Sequence, residues 1–342
     1  MTSTTYLFLA VGAFAGGWLG TMAVRRFASR FGLVQSPNER SSHSRPTPQG
    51  GGLSIAVIAI LAAAAIGAFE PSFLILAGLS TIVAAIGLAD DVFELSPALR
   101  FPIQGIVLAA LIGWALPLPD LLLPFGGTIG GWFLPPLVWL FALWWLNLFN
   151  FMDGIDGIAA SQAVVMLVGA LVLALTTDHT FLTAPLGTLV LVTAAATGGF
   201  LVVNWSPARI FMGDAGSNAL ALLIFAICLG TVQKGLIGYP AWLILLSVFS
   251  TDTTVALVRR TARGERPWRA HRRHGYQQLA RRFGHARVTM LYTAATALAL
   301  LPLAIVAQHH PSVAWPLVGL TYLVLATLMF WAGSGDAAEH GR

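Results

Sequence analysis

The chain reads as an all-α, polytopic integral membrane protein of about eleven transmembrane helices, and three observations predict it. Of the 342 residues, 57% are hydrophobic and only 10% are charged, a balance that a water-soluble domain of this length does not carry. Apolar runs close to 20 residues recur along the whole chain, long enough to cross hydrocarbon as helices with every backbone group paired internally. The cations are also sorted: between the apolar runs, Arg collects in alternate loops.

The first apolar run is Tyr6 to Val24. No Lys or Arg precedes it, and Arg25, Arg26 and Arg30 follow it. That is the reverse of a signal peptide, and it sets the N-terminus outside. Further spans are expected at about 52–69, 72–89, 102–117, 132–149, 160–176, 185–203, 217–233, 239–258, 288–307 and 312–332. Eleven spans put the C-terminus inside. The inside loops are then about 25–51, 90–101, 150–159, 204–216 and 259–287, plus the tail, and they hold all 18 Arg, while the single Lys, Lys234, falls outside. This sorting explains the pI near 10 without a nucleic-acid partner, and no RNA- or DNA-binding motif is present. Cys228 stands alone inside an apolar run, so no intramolecular disulfide forms. With no repeat and no soluble stretch, 1–342 is expected to be one membrane domain.

The polar motifs fall in or beside these same loops. The first, SSHSRPTPQGGGLSI, is made irregular by Pro46, Pro48 and Gly50–Gly52, which can bring backbone N–H groups to an anion. Arg40, His43 and Arg45 could meet phosphate, or simply form a basic loop. Next, LADDVFELSPALRF places Asp90 and Asp91 side by side at the end of a span, where they repel unless one is protonated or a cation bridges them. The central block is NLFNFMDGIDGIAA. Asn147, Asn150, Asp153 and Asp156 are spaced by three, so on a helix each would neighbour the next. A turn with one Asx cap needs a single polar residue, not four. Polar groups beside hydrocarbon are costly unless something such as a metal-bound phosphate compensates them. NWSPARIFMGDAGSNAL then sets Asp214 between glycines at the start of a span. Asp252 lies within the ninth span, ~10 Å from its end, either functional or hydrogen-bonded to a neighbouring helix or an Arg. The last inside loop is strongly basic and carries His271 and His274, without the further ligands a zinc site needs. It suits either anionic lipid or substrate phosphate.

Asp and Asn oxygens without Cys suit Mg²⁺, with Mn²⁺ as a substitute. Arg and His suit phosphate. A site of this kind at a lipid boundary points to phosphoryl transfer between a lipid phosphate and a soluble phosphate compound.

Five blocks in order, SSHSRPTPQGGGLSI, LADDVFELSP, NLFNFMDGIDGIA, NWSPARIFMGDAGS and HRRHGYQQLARR, spanning about 41–282, resemble the polyprenyl-phosphate N-acetylhexosamine-1-phosphate transferases, glycosyltransferase family 4. The resemblance implies about eleven helices in a bacterial inner membrane, with the N-terminus periplasmic, the C-terminus cytoplasmic and the active site on the cytoplasmic face. It implies transfer of an N-acetyl-amino-sugar 1-phosphate from a UDP-sugar to undecaprenyl phosphate, with release of UMP. It implies Asp214 as principal metal ligand and Asn150 as the second, Asp90 and Asp91 as the pair that activates or orients the lipid phosphate, and Asp153 and Asp156 as the acids that order the nucleotide-sugar. Asn147, Arg209, His43, His271 and His274 are then substrate-binding candidates, and Gln49 stands where many relatives carry a basic residue. A homodimer is allowed. The sparse histidine block resembles the branch that starts O-antigen or similar lipid-linked glycans, with UDP-GlcNAc or a 6-deoxy relative as donor. The phospho-MurNAc-pentapeptide transferase of peptidoglycan synthesis is the alternative. An ion-coupled transporter is the rival from another class; it predicts acids near mid-span and an internal repeat.

Overall fold

The computed structural model describes residues 3–35, 46–124, 126–265 and 273–336. Its helices are α1 (Ser3–Phe27), α2 (Leu53–Gly67), α3 (Ser72–Phe93), α4 (Pro97–Trp114), α5 (Leu134–Met152), α6 (Ile158–Thr177) and α7 (Pro185–Asn204). They continue with α8 (Gly213–Gln233), α9 (Tyr239–Leu245), α10 (Ser247–Ala262), α11 (Gly275–Phe283), α12 (His285–Ala294), α13 (Leu301–His309) and α14 (Pro311–Trp331). A π-helical turn, Ala295–Leu300, makes α12 and α13 one continuous element. Two short antiparallel strand pairs, β1 (Val34–Gln35) with β2 (Thr47–Pro48), and β3 (Leu121–Leu122) with β4 (Thr128–Ile129), and three 3₁₀ turns, Ala28–Phe31, Gly131–Phe133 and Phe181–Thr183, complete the list. Local chemistry marks the boundaries. Pro97, Pro185 and Pro311 stand in the first turns of α4, α7 and α14, where a missing N–H costs nothing. At its other end α3 stops at Glu94, whose left-handed backbone turns its N–H back onto the Asp90 carbonyl at 2.9 Å.

Among the described residues, nine helical segments are long and apolar enough to cross a membrane. A tenth follows if the bent pair α9–α10 counts as one span. The expected run at 239–258 is therefore not a straight helix: the two pieces meet at an angle of 69°. Hydroxyls back-bond to carbonyls around the break, Ser247 Oγ donating to Ile244 O at 2.6 Å and Ser250 Oγ to Leu246 O at 3.1 Å. The run expected at 52–69 forms only the 15-residue α2.

The bundle is built around α8. Every residue from Ala215 to Val232 is buried, with α2, α3, α5, α6 and α7 packed about it. The outer helices turn apolar side chains outward, among them Leu7 and Phe8 on α1 and Leu320 and Leu323 on α14. In lipid, apolar burial does little to hold helix against helix, and close backbone approach at small residues does more. Here Gly87 of α3 lies against the backbone of Asp214 and Ala215 at the start of α8, and Gly52 faces Gly216 across the α2–α8 contact. Gly17 of α1 and Gly199 of α7 meet the partner helix in the same way. The segment before α2 is stitched alongside the chain entering α8: Phe211 N donates to Pro48 O, Gly51 N to Phe211 O and Gly52 N to Met212 O, each at 2.9 Å.

These contacts make a paired prediction within one helix. A Cβ at Gly87 would overlap the Asp214 carbonyl, whereas one at Gly78 meets nothing within 4 Å. Gly87→Ala should cost about 2–3 kcal/mol, and Gly78→Ala should gain up to about 1 kcal/mol from helix propensity. Thermal unfolding midpoints of the two variants in detergent check this, and equal midpoints would refute the packing role of Gly87.

Candidate active site

The C-terminal end of α3, the turn after α5, the N-terminus of α8 and the pair α11–α12 meet at one end of the bundle. Asp91 is the joint between the first and third. Its carboxylate accepts the N–H of Asp214 at 2.9 Å and of Ala215 at 3.1 Å, so α3 supplies the cap that α8 lacks in its own sequence and sets a negative charge at the positive end of the helix dipole. Asp90, one residue earlier, forms an ion pair with Arg100 of α4. The same guanidinium lies 3.3 Å from Asp214 Oδ2, and Asp214 also engages the side chains of Asp90 and Asn150. Asn150, in the last turn of α5, donates to Ser217 Oγ of α8 at 3.2 Å.

The two acids of the turn after α5 are driven in opposite directions. Burial, and then the nearby charge of Asp91, push the Asp153 carboxyl well above the usual carboxylate range. Burial would raise Asp156 too, but hydrogen bonding and charge from His285, the Ala208 N–H and the Ser206 hydroxyl outweigh it and hold Asp156 below its ordinary value. His285 Nδ1 lies 3.3 Å from Asp156 Oδ1, and Ala208 N donates to Asp156 Oδ2 at 3.2 Å. Asp156 thus fixes α12 and the 205–212 loop to the turn as a carboxylate, whereas burial makes the charged form of Asp153 costly. Both acids line a polar cavity of about 170 Å³ with Gln49, Asp91, Asn150, Asp214, Gln277 and His285. A larger cavity, about 870 Å³, lies at the other end of the bundle between β3–β4 and the ends of α9, α13 and α14; its walls are mostly apolar and none of these acids reaches it.

Comparison with known proteins places the chain in a family. The family model described as glycosyl transferase family 4 matches residues 73–232, a stretch that contains Asp90, Asp91, Asn150, Asp153, Asp156 and Asp214. A probable undecaprenyl-phosphate N-acetylglucosaminyl 1-phosphate transferase of Bacillus subtilis is 33% identical over 245 residues, covering 70% of this chain and 67% of that protein. The chain belongs to glycosyl transferase family 4. A decaprenyl-phosphate N-acetylglucosaminephosphotransferase of Mycolicibacterium smegmatis is 31% identical over 304 residues, with 80% and 73% of the two chains covered. A phospho-N-acetylmuramoyl-pentapeptide-transferase of Leuconostoc citreum is 30% identical over a shorter stretch of 195 residues, covering 56% of this chain and 57% of its own.

Not every residue that the sequence suggested for this glycosyl transferase reaches the cavity. Asp90, Asp91, Asn150, Asp153, Asp156 and Asp214 gather at or beside it. Asn147 does not: α5 ends at Met152, so the row spaced by three breaks there. Asn147 stays one turn deeper, donating to Gln104 of α4 at 3.2 Å and to Leu143 O at 2.8 Å. His274 is buried, stacked between the rings of Phe151 and Tyr276. Arg209 is exposed on the loop before α8, away from the cavity wall. His43 and His271 lie outside the described residues. Asp252 proves to be an anchor: it accepts from the N–H of Gly275 and Tyr276 at 2.6 and 2.8 Å, from Tyr292 at 2.8 Å and from Ser334 at 2.9 Å. It therefore caps α11 from below. Arg100, Gln277 and His285 were not foreseen. A lone Arg in an acidic loop was a readable signal for the first, but no spacing marked the other two.

Among the described residues, no three His, Cys, Asp or Glu side chains converge in metal-ligating geometry. The donor chemistry nevertheless fits Mg²⁺. Asp214 and Asn150 are adjacent oxygen-bearing side chains, and this ion is commonly held by one or two carboxylates, water and substrate phosphates.

His274 yields a pH prediction. Burial, with the charge of Arg260, pushes its imidazole from 6.5 down to about 4. A base depressed on folding binds more protons unfolded than folded. Stability therefore rises with pH between about 4 and 6.5, and at most about 1.4 kcal/mol per pH unit is lost on acidification through that window. In detergent, the thermal midpoint of His274→Asn should lose less than that of the parent between pH 7 and pH 5. Parallel pH profiles would show that the imidazole is not held neutral.

Proposed function

We propose that the protein transfers an N-acetyl-amino-sugar 1-phosphate from a UDP-sugar, UDP-GlcNAc or a 6-deoxy relative, to undecaprenyl phosphate at the cytoplasmic face of a bacterial inner membrane, releasing UMP and starting a lipid-linked surface glycan such as O-antigen. The observation that carries this is the junction of Asp90, Asp91, Asn150, Arg100 and Asp214 at the start of α8. The names of the relatives from Bacillus and Mycolicibacterium support the acceptor class and the N-acetylglucosamine donor. The peptidoglycan alternative has less support, since the pentapeptide-transferase match covers 56% of this chain against 80% for the Mycolicibacterium protein. A transporter fares worse still. The one deep acid, Asp252, is spent on anchoring α11.

In this reading the phosphate of the lipid acceptor attacks the β-phosphorus of the donor. The new bond joins an oxygen of that phosphate to phosphorus. The bond from the β-phosphorus to the bridging oxygen breaks, and UMP leaves with the electron pair. A phosphate monoester has its second pKa near about 6 and is mostly dianionic at neutral pH, so no strong general base is needed. A dianion cannot approach Asp90 and Asp214 unaided. Arg100, already between them, is placed to turn its guanidinium onto a phosphate oxygen. Asp91 holds the N-terminus of α8, so that Asp214 keeps its place. Mg²⁺, held by Asp214 and Asn150, would neutralise charge developing on the pyrophosphate. Asp156, fixed by His285 and Ala208, braces the wall where the nucleotide-sugar sits, and Asp153 lines the same space. The eleven apolar segments, with all 18 Arg on one side of the expected topology, support the placement of this wall on the inner face.

Purified protein in detergent with undecaprenyl phosphate, Mg²⁺ and a panel of UDP-sugars should release UMP with one donor. Release should stop with EDTA. It should fall by about 10²-fold or more in Asp214→Asn and in Arg100→Ala. No release with any donor from folded parent protein would overturn the assignment. Exchange of labelled UMP into the UDP-sugar without lipid acceptor would replace the single displacement by an aspartyl-phosphate intermediate.

A further inference from the structure

The turn that follows α14 is connected to the cavity by a relay of hydrogen bonds. Gly333 and Gly335 adopt left-handed backbone, with φ of 83° and 77°, and fold the chain beneath α10. The turn is seated there closely, since a Cβ on Gly335 would come within 3.0 Å of Ala256 O. Ser334 is fully buried. Its hydroxyl donates towards Asp252, 2.9 Å from Oδ1 and 3.1 Å from the backbone carbonyl. Arg259 donates to the Ser334 carbonyl at 2.6 Å and Arg263 to the Gly335 carbonyl at 2.7 Å. Asp336 pairs with Arg259 and, at 3.7 Å, with Arg263. On the site side, Gly335 N–H donates to the carbonyl of Arg273 at 2.5 Å.

The relay ends at the cavity. The Asp252 carboxylate that receives Ser334 also receives the first two N–H groups of α11, those of Gly275 and Tyr276. Tyr276 then donates from its hydroxyl to Phe151 O at 2.8 Å, two residues before Asp153. Gln277 follows. Its Oε1 accepts the His274 N–H at 3.3 Å, which turns the amide nitrogen towards Gly154, where an added Cβ would lie 3.1 Å from Nε2. Gln277 lines the cavity beside Asp153 and Asp156.

We propose that Ser334 is a positioning residue for the nucleotide-sugar site. The turn 333–336 is a latch that, through Asp252, fixes the first turn of α11 and so holds the Gln277 amide where it donates to an oxygen of the bound donor. The argument is one of shared lone pairs. A buried carboxylate with four donors is fixed in orientation. Removing the Ser334 donor leaves Oδ1 free to follow Gly275, and α11 gains freedom at its N-terminus.

The inference rests on the transferase reading above, so the test has one arm that needs no turnover. Full-length parent, Ser334→Ala, Gln277→Ala and the double variant are compared in detergent, with Asp336→Asn as a milder way of loosening the latch should Ser334→Ala fold poorly. Backbone hydrogen exchange at Gly275 and Tyr276 should rise in the latch variants. KM for the UDP-sugar that the parent turns over should rise about three- to tenfold in Ser334→Ala, with kcat within about twofold. Because the latch acts through Gln277, Ser334→Ala should add nothing to the KM of Gln277→Ala. Unchanged exchange in the latch variants would overturn the latch. Raised exchange with an unchanged KM, or with additive KM effects in the double variant, would overturn the positioning role. A folded parent without turnover would instead sink the transferase reading, and the exchange arm alone would then decide the latch.

Discussion

The site depends on backbone contact between α3 and the start of α8. At Gly87 no side chain separates the helices, and one turn later Asp91 accepts the two N–H groups that open α8. The spacing is the point. A residue four positions on lies on the same face one turn along, so the glycine that admits α8 and the carboxylate that caps it belong to a single stripe of α3. Gly52 and Gly216 repeat the arrangement on the other side of α8. Asp214, in the first turn of α8, therefore has its position set from two helices at once. Since α8 is buried from Ala215 to Val232, little of the surrounding bundle could shift without moving that carboxylate.

Such a junction concentrates negative charge where solvent is scarce, and the protein meets this in three ways. Backbone N–H groups take up Asp91, the Arg100 guanidinium takes up Asp90 and part of Asp214, and His285 with Ala208 takes up Asp156. At Asp153 burial and then the charge of Asp91 instead raise the carboxyl's affinity for a proton. The result is a set of acids with unequal affinity for protons within one small cavity, the arrangement from which distinct roles at a phosphate-transfer site can be drawn. Arg100 is the member that must change partner, because a phosphate can approach only if a cation turns towards it.

Class and chemistry were legible in the sequence for different reasons. Helix against lipid is written in hydropathy: among the described residues nine of the expected runs form helices long enough to cross a membrane, one is a bent pair and the run at 52–69 forms only the short α2. Acid blocks at loop positions gave the cavity, because Asp and Asn beside hydrocarbon require an explanation. What stayed illegible depended on where one helix ends or bends. The row Asn147, Asn150, Asp153, Asp156 has helical spacing throughout, yet α5 stops at Met152. Two of the four therefore leave on a turn, and Asn147 remains inside to join α5 to α4. His274 looked like a substrate ligand because imidazole suits phosphate, but aromatic stacking claims it. His285 and Gln277 reach the wall only through the packing of α11 and α12, which no local pattern encodes.

Asp252 shows why a polar residue within a span has two readings until the bend beside it is known. In a straight helix it would sit isolated in hydrocarbon and ask for an ion. The 69° break before Ser247 redirects α10 so that this carboxylate lies beneath the N-terminus of α11, where it takes the Gly275 and Tyr276 N–H groups that the capping box of His274 and Gln277 leaves over. The carboxylate meets those groups, the Tyr292 hydroxyl and Ser334 together, so its burial is compensated by four hydrogen bonds rather than by a counter-ion. α10, α11, α12 and the turn after α14 thus share one buried acceptor. The part of the site that comes latest in the sequence is held to the part built on α5 and α8 by Asp252, a residue that does not itself line the cavity.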